Sequence, residues 1–364
     1  MSFAFYMPHL NTGGAERVTV NLANHFAGRG ERALVVLDRR EGALIQALDP
    51  RVELVALEAP RTLAALPKLA ALFKQRRPKA VLSGITYNSP IAILAAKLGR
   101  AGTRVAVAEH TVLSQELKER GLRDRLVVPP LLRLAYRGAS AIIAASGAIA
   151  DDLASLCRIP RGRIDVLANP VIGADIAKRA APPAGHRWFA EKEPVFVAAG
   201  RMTPVKDFST LLTAFAKLRA KRPARLLLLG DGPLRAGLEK EAASLGLAGS
   251  VELPGAVAEP MPYFARAAAV VSSSRYEGFG NVLVEALACG APVVSTDCPG
   301  GPRTILDGGR YGRLVPVGDA EALAGAMLEA LDARPDPALL SAGAQRYAIA
   351  AAGDAYLRRL KEIA

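Results

Sequence analysis

An α/β protein of two doubly wound domains in series is what this sequence predicts. Three observations carry it. Short apolar runs alternate with helical patterns along the whole chain, the alternation lapses once near the middle, and 364 residues are more than one ordinary core needs. In the first half, strands are expected at residues 3–8, 33–38, 52–57, 80–84, 104–110, 141–146 and 164–168. Between them, stretches such as 15–29 repeat apolar residues at helical spacing, here Val18, Leu22 and Phe26. Residues 171–193 are rich in proline and polar groups and read as a linker. A second set of strands is expected at 195–200, 225–230, 251–254, 269–274, 292–296 and 313–316. The domains are therefore placed at 1–170 and 194–341. Each is Rossmann-like, and the two are expected to face one another across a cleft at the carboxyl ends of their strands. A helix is expected at 342–364, with its return to the first domain left open.

Composition narrows the function classes. The chain is 51% apolar and only 5% aromatic, which suits Ala-rich helices packed closely on sheets. No apolar run approaches the ~20 residues that a membrane span needs. The opening MSFAFYMPHL lacks a basic n-region and reads as a strand. Three cysteines, Cys157, Cys289 and Cys298, cannot all pair and have no metal-ligand spacing, so reduced thiols and a cytoplasmic setting are expected. Charge is uneven. Residues 1–180 carry 26 Lys and Arg against 15 Asp and Glu, whereas residues 181–364 carry 21 against 19. The basic half points to an acidic partner: nucleic acid, anionic lipid or a phosphorylated substrate.

The densest chemistry lies in SRYEGFGNVLVEAL, residues 274–287. A buried strand runs into a loop with Gly278 and Gly280, and a helix opens near Asn281. Glycine lets backbone amides approach a ligand closely. A helix N-terminus offers unpaired N–H groups and partial positive charge, a seat for a diphosphate. Glu277 stands before that helix and Glu285 about one turn inside it. The second piece, GRMTPVKDF at 200–208, also follows a strand end and sets Arg201 and Lys206 in a turn that opens a helix. Arginine supplies a planar fork for phosphate oxygens and lysine a compact charge.

These stretches, with the early GGAER at 13–17, resemble the family 4 retaining glycosyltransferases of GT-B fold. The resemblance covers the whole chain and is most specific at 195–305. It implies that Glu285 binds ribose hydroxyls and that Glu277 sits near the transferred sugar. The amides of Phe279, Gly280, Asn281 and Val282 would hold the diphosphate, with Arg201 and Lys206 as its cations. Gly13 and Gly14 open a helix after the first strand, a weaker anion cradle without the full dinucleotide fingerprint. His110 ends a strand, and the family places a histidine there against the donor sugar. No D-x-D occurs, so no metal and no cofactor are expected beyond the nucleotide-sugar donor itself. UDP is the first candidate for its nucleotide and GDP the second.

The acceptor is expected to meet the basic first domain. Residues 63–79 combine leucines with Lys74, Arg76, Arg77 and Lys79, and residues 114–137 combine them with Lys118, Arg120 and Arg123. Cations among apolar residues suit a surface helix resting on anionic lipid. The family's bacterial members that extend lipid-linked glycans are the most similar. That implies a polyprenyl-diphosphate-linked saccharide as acceptor and a peripheral place on the inner face of the cell membrane. Two rivals are a GT-B-fold sugar-nucleotide epimerase and, last, a basic nucleic-acid-binding protein. The latter lacks interleaved aromatics and any reader motif, so no nucleic-acid partner is expected.

Overall fold

The computed structural model describes residues 1–333 and 335–364. They form two compact units, Met1–Val171 with Tyr347–Ala364, and Ile172–Arg346. In the first unit the strands are β1 (Ser2–Met7), β2 (Arg32–Leu37), β3 (Glu53–Ala56), β4 (Ala80–Ser83), β5 (Arg104–Glu109), β6 (Ala141–Ala144) and β7 (Ile164–Val166). They pair in parallel in the order β3-β2-β1-β4-β5-β6-β7. Strands such as FAFYM and ALVVL are apolar at every position because helices cover both faces of a parallel sheet. Phe26, from helix Gly14–Gly28, meets Phe3 and Phe5 edge to face, with ring centroids 5.3 Å apart in each pair. Tyr356 and Leu360, from the last helix, complete that core.

The last helix starts later than the sequence suggests. Residues 337–344 form a separate helix, Pro337–Ala344, whose N-cap Asp336 accepts from Ala338 N at 2.9 Å, and it belongs to the second unit. One turn of 3₁₀ helix follows, and extended backbone at Ala348 (φ −60°, ψ 139°) resets the direction before helix Ile349–Ile363. Neither Gly nor Pro stands at the break, so composition alone reads one run. Helix Ile349–Ile363 returns to the first unit. His25 Nε2 lies 2.8 Å from Asp354, and Arg359 donates to Asp165 at 2.7 Å.

The second unit contains β8 (Val195–Ala199), β9 (Arg225–Leu229), β10 (Val251–Gly255), β11 (Ala269–Ser272), β12 (Val293–Thr296) and β13 (Arg313–Val315). Their order is β10-β9-β8-β11-β12-β13, again parallel. Of residues 171–193, expected as the linker, 172–193 belong to this unit. Trp188 is 1% exposed, packs against His186 at 4.8 Å and takes the Arg225 guanidinium over its ring at 5.2 Å. Arg179 pairs with Glu259 at 2.7 Å. An indole and well-matched charges anchor a segment whose prolines suggested only a tether.

One buried acid punctuates the first sheet. Glu109, the last residue of β5, is 1% exposed, accepts from Thr86 Oγ1 at 2.5 Å and also accepts from the Tyr136 hydroxyl. Burial pushes its pKa from 4.5 up to about 7, although both hydrogen bonds oppose the shift. An acid raised in the folded state costs stability as pH climbs from the unfolded value through the folded one. The native state is therefore expected to weaken between pH 4.5 and about 7, and Glu109→Gln to flatten that slope by up to about 3 kcal/mol. Urea unfolding of both proteins across that range measures it; parallel curves would remove Glu109 as the cause.

Candidate functional site

The chain reverses its order across each sheet between two central strands, β1 and β4 in the first unit, β8 and β11 in the second. Loops leaving the carboxyl ends of such a pair run to opposite sides and leave a crevice. In the second unit those loops are Gly200–Asp207 and Ser273–Gly280, the two stretches singled out from sequence. They are stapled together. Ser273 Oγ donates to Lys206 O at 2.7 Å, Arg275 N donates to Val205 O at 2.8 Å, and Arg275 Nε reaches Asp207 at 3.1 Å. Asp207 needs that anchor, because its φ of 46° lies in the left-handed region.

Lys206 Nζ sits 2.5 Å from Glu277 Oε1, and Ser274 Oγ donates to the same oxygen at 2.6 Å. Both partners of the ion pair are mostly buried yet reachable. Both of these hydrogen bonds fall on Oε1 of the carboxylate. An ammonium has three donors, so Lys206 can hold Glu277 and an oxyanion together. Arg201 is exposed on the same loop and makes no ion pair among the described residues. The helix behind, Asn281–Ala288, opens at Gly280 (φ 100°) with no side-chain cap, Leu283 N turns back to Gly280 O at 2.9 Å, and the helix start carries the partial positive charge of a helix N-terminus. Phe279 is buried, Asn281 and Val282 are partly exposed, and Glu285 lies half-buried on the fifth residue of the helix. Glu285 faces the Arg179 and Cys289 neighbourhood, where its charge supports the guanidinium of Arg179.

The turn Pro299–Gly301 lies directly beneath this loop. Glu277 N donates to Pro299 O at 2.9 Å. A methyl on Gly300 would fall 2.0 Å from Glu277 O, and one on Gly301 1.7 Å from Phe279 O. Gly230 and Gly232 do the same under the other loop, against Gly200 O at 2.0 Å and Met202 O at 2.6 Å. Sequence reasoning missed these supports, and also Ser273 and Ser274. The signal was present as glycine pairs in the loops that follow strands, but the serines read as strand.

The first unit holds Gly13 and Gly14 at the mouth of helix Gly14–Gly28, whose N-cap Gly13 also lacks a side-chain partner. His110 follows β5. Its Nδ1 is sealed from solvent, and desolvation lowers its pKa to about 4 against the opposing hydrogen bond with Asn169, so the ring is neutral at physiological pH. The basic residues divide between the two edges of this sheet. Lys74, Arg76, Arg77 and Lys79 gather where the chain enters β4, with Lys79 N bonded to Ser2 O at the amino edge. Lys118, Arg120 and Arg123 follow β5, on or beside two helices, Leu113–Arg120 and Leu122–Tyr136, that Gly121 (φ 103°) separates. Arg76 is paired with Glu53, and Arg120 with Glu116 and the ring of Tyr87. All three thiols are free; burial raises each to about 12. Among the described residues no cluster of His, Cys, Asp or Glu has the form of a metal site, and no helix is long and apolar enough to cross a membrane.

Comparison with known proteins agrees with this geometry. Residues 12–172 match the family described as Glycosyltransferase Family 4, and residues 193–333 the family described as Glycosyl transferases group 1. The chain is 28% identical over 319 residues to the N-acetylgalactosamine-N,N'-diacetylbacillosaminyl-diphospho-undecaprenol 4-alpha-N-acetylgalactosaminyltransferase of Campylobacter jejuni, which covers 85% of this chain and 84% of that protein. It is 40% identical over 134 residues to the lipopolysaccharide core biosynthesis glycosyltransferase LpsE of Rhizobium meliloti, 37% of this chain and 38% of that one. Anabaena HepE in complex with UDP-glucose shares the fold over 100% of both chains, with a TM-score of 0.82 and 22% identity.

The glycine supports make a direct prediction. Gly301→Ala is expected to destabilise the protein by about 1–3 kcal/mol, the scale of forced overpacking. Gly325→Ala, inside a helix with nothing near its missing Cβ, is expected to stabilise by roughly 0.5–1 kcal/mol. Chemical denaturation of the two variants side by side decides it; equal effects would show that the turn does not bear on the loop.

Proposed function

The chain belongs to glycosyltransferase family 4, and from that membership we propose a retaining, metal-independent transfer of a hexose or N-acetylhexosamine from a nucleotide diphosphate sugar. UDP is the preferred nucleotide and GDP the second. The observation that carries the reading is the Lys206–Glu277–Ser274 cluster beside the uncapped start of helix Asn281–Ala288. The helix amides and Lys206, with Arg201, take the diphosphate. Glu277 turns its second oxygen to the sugar, and Glu285 takes the ribose hydroxyls. His110, neutral at physiological pH, offers a hydrogen bond rather than a charge.

In the reaction the bond from the anomeric carbon to the phosphate oxygen breaks, leaving oxocarbenium-like charge on the sugar. The acceptor oxygen bonds to the same face, and the departing phosphate oxygen takes the acceptor's proton. Cationic side chains and helix amides stabilise the leaving diphosphate electrostatically, the role a metal plays elsewhere. The acceptor is proposed to be a polyprenyl-diphosphate-linked saccharide at the inner face of a bacterial membrane. The basic first unit supports this, as does the likeness to a relative named for a diphospho-undecaprenol-linked substrate.

Arg201→Ala and Lys206→Ala are each expected to cut turnover by on the order of 10²-fold or more, as when one electrostatic contact to the transition state is lost. Saturating chelator is expected to leave the wild-type rate largely intact. Activity abolished by chelator and restored by Mg²⁺ or Mn²⁺ would overturn the leaving-group chemistry. Glu285→Gln is expected to weaken nucleotide diphosphate binding by about 1–3 kcal/mol, as for a hydrogen-bond partner left unmatched. Calorimetry with UDP and GDP tests this assignment separately from the acceptor, whose identity is read by mass spectrometry of products formed with membrane lipid extract.

A further inference from the structure

Two adjoining cavities of about 260 Å³ each open on the first unit, between the end of helix Leu122–Tyr136 and the end of helix Gly147–Cys157. Both are lined by Arg133 and Arg158, and the second also by Arg137 and Arg163. Among the described residues none of these four guanidinium groups has a carboxylate, carbonyl or aromatic partner. Arg161, in the same turn, shows the contrast: it pairs with Asp151 and donates to Ile164 O. Two helix C-termini point here and place roughly half a negative charge each against four full positive ones. The groove remains strongly cationic. Arg158 also holds a left-handed φ of 51° at a helix C-cap, where glycine fits without steric cost.

The groove's position in the fold narrows its ligand. Arg137 precedes β6 and Arg163 precedes β7, so the cluster lies at the amino edge of the sheet. The ligand loops of such a sheet leave its carboxyl edge, and β5 runs six residues, roughly 20 Å, between the two edges. Along the same helix Leu126, Val127, Leu131 and Leu134 are each more than half exposed. Bulky apolar side chains in water beside unpaired arginines form one amphipathic face.

We propose that this groove binds the phosphate headgroups of an anionic bilayer, with the leucines of helix Leu122–Tyr136 entering the acyl boundary beside it. Arginine forks take phosphate oxygens in pairs, and the apolar stripe gives the contact a component that salt does not screen. The proposal deepens the membrane part of the function above and rests on it, but not on the identity of the acceptor.

The test uses the full chain with phosphatidylcholine vesicles with and without phosphatidylglycerol, across a salt series. Arg133→Gln with Arg158→Gly is expected to reduce partition into the anionic vesicles by on the order of tenfold, while thermal unfolding and nucleotide affinity stay as in wild type. The glycine relieves a left-handed position, so loss of fold does not mimic loss of binding. Leu126→Ser with Leu131→Ser is expected to remove the fraction that resists high salt. Unchanged partition of the arginine variant, or no difference between the two vesicle types in wild type, overturns the proposal. So does unchanged partition together with a raised KM for detergent-solubilised acceptor, which would assign the groove to the acceptor's own diphosphate. A chain that binds vesicles as expected but glycosylates no lipid-linked saccharide leaves the headgroup site standing and removes the acceptor instead.

Discussion

β8 and β11 lie side by side although two βα units separate them in the chain, and the second unit's chemistry depends on that adjacency. The parallel order brings the carboxyl ends of the two strands together, and the reversal sends their loops apart. Lys206 leaves on one loop and Glu277 on the other, and only here do they come within 2.5 Å. Hydrogen bonds from Ser273 and from the backbone of Arg275 fix the loops against each other, so the pair does not depend on two long side chains finding one geometry. A preorganised pair loses less entropy when a ligand arrives than two free side chains would.

The glycines beneath the loops act through the same constraint. Backbone at Gly300 and Gly301 approaches the carbonyls of Glu277 and Phe279 more closely than any side chain allows. That closeness sets the height at which the loop crosses the sheet, and with it the direction of the first amides of helix Asn281–Ala288. Gly230 and Gly232 support the loop that carries Arg201 in the same way. The residues that position the charges are thus chemically silent. A search for reactive side chains passes over them.

Much of the fold was legible because a parallel strand buried on both faces is a continuous apolar run, and each of the thirteen runs proposed corresponds to a strand whose ends differ by two residues or fewer. What escaped was determined by tertiary packing. Trp188 turns a proline-rich segment into part of the second unit, and Ala348 divides an Ala-rich stretch with no breaker residue in sight. At the site, Glu277, Lys206 and the helix start at Asn281 stood out because their loops follow apolar strands and contain glycine. Glu109 was invisible. One acid at the end of an alanine and valine run gives no sign that Thr86 and Tyr136 will close over it, and only the folded neighbours make its ionisation costly.

The charge excess of the first half also takes on meaning only through topology. In a βα unit the helices run back against the strands, so arginines that end a helix and lysines that begin a strand collect at the amino edge of the sheet. Arg77, Lys79, Arg100, Arg137, Arg158 and Arg163 all occupy such places, whereas Gly13, Gly14 and His110 stand at the carboxyl edge. Helix C-termini favour cations there, which accounts for part of the pattern without any ligand. It does not account for arginines that make no ion pair among the described residues beside Arg161, which pairs with Asp151, nor for the leucines exposed along helix Leu122–Tyr136. Dipole compensation needs about half a charge per helix end, and the groove between Arg133 and Arg163 carries several times that. The surplus is therefore a property of the surface and not of helix stability.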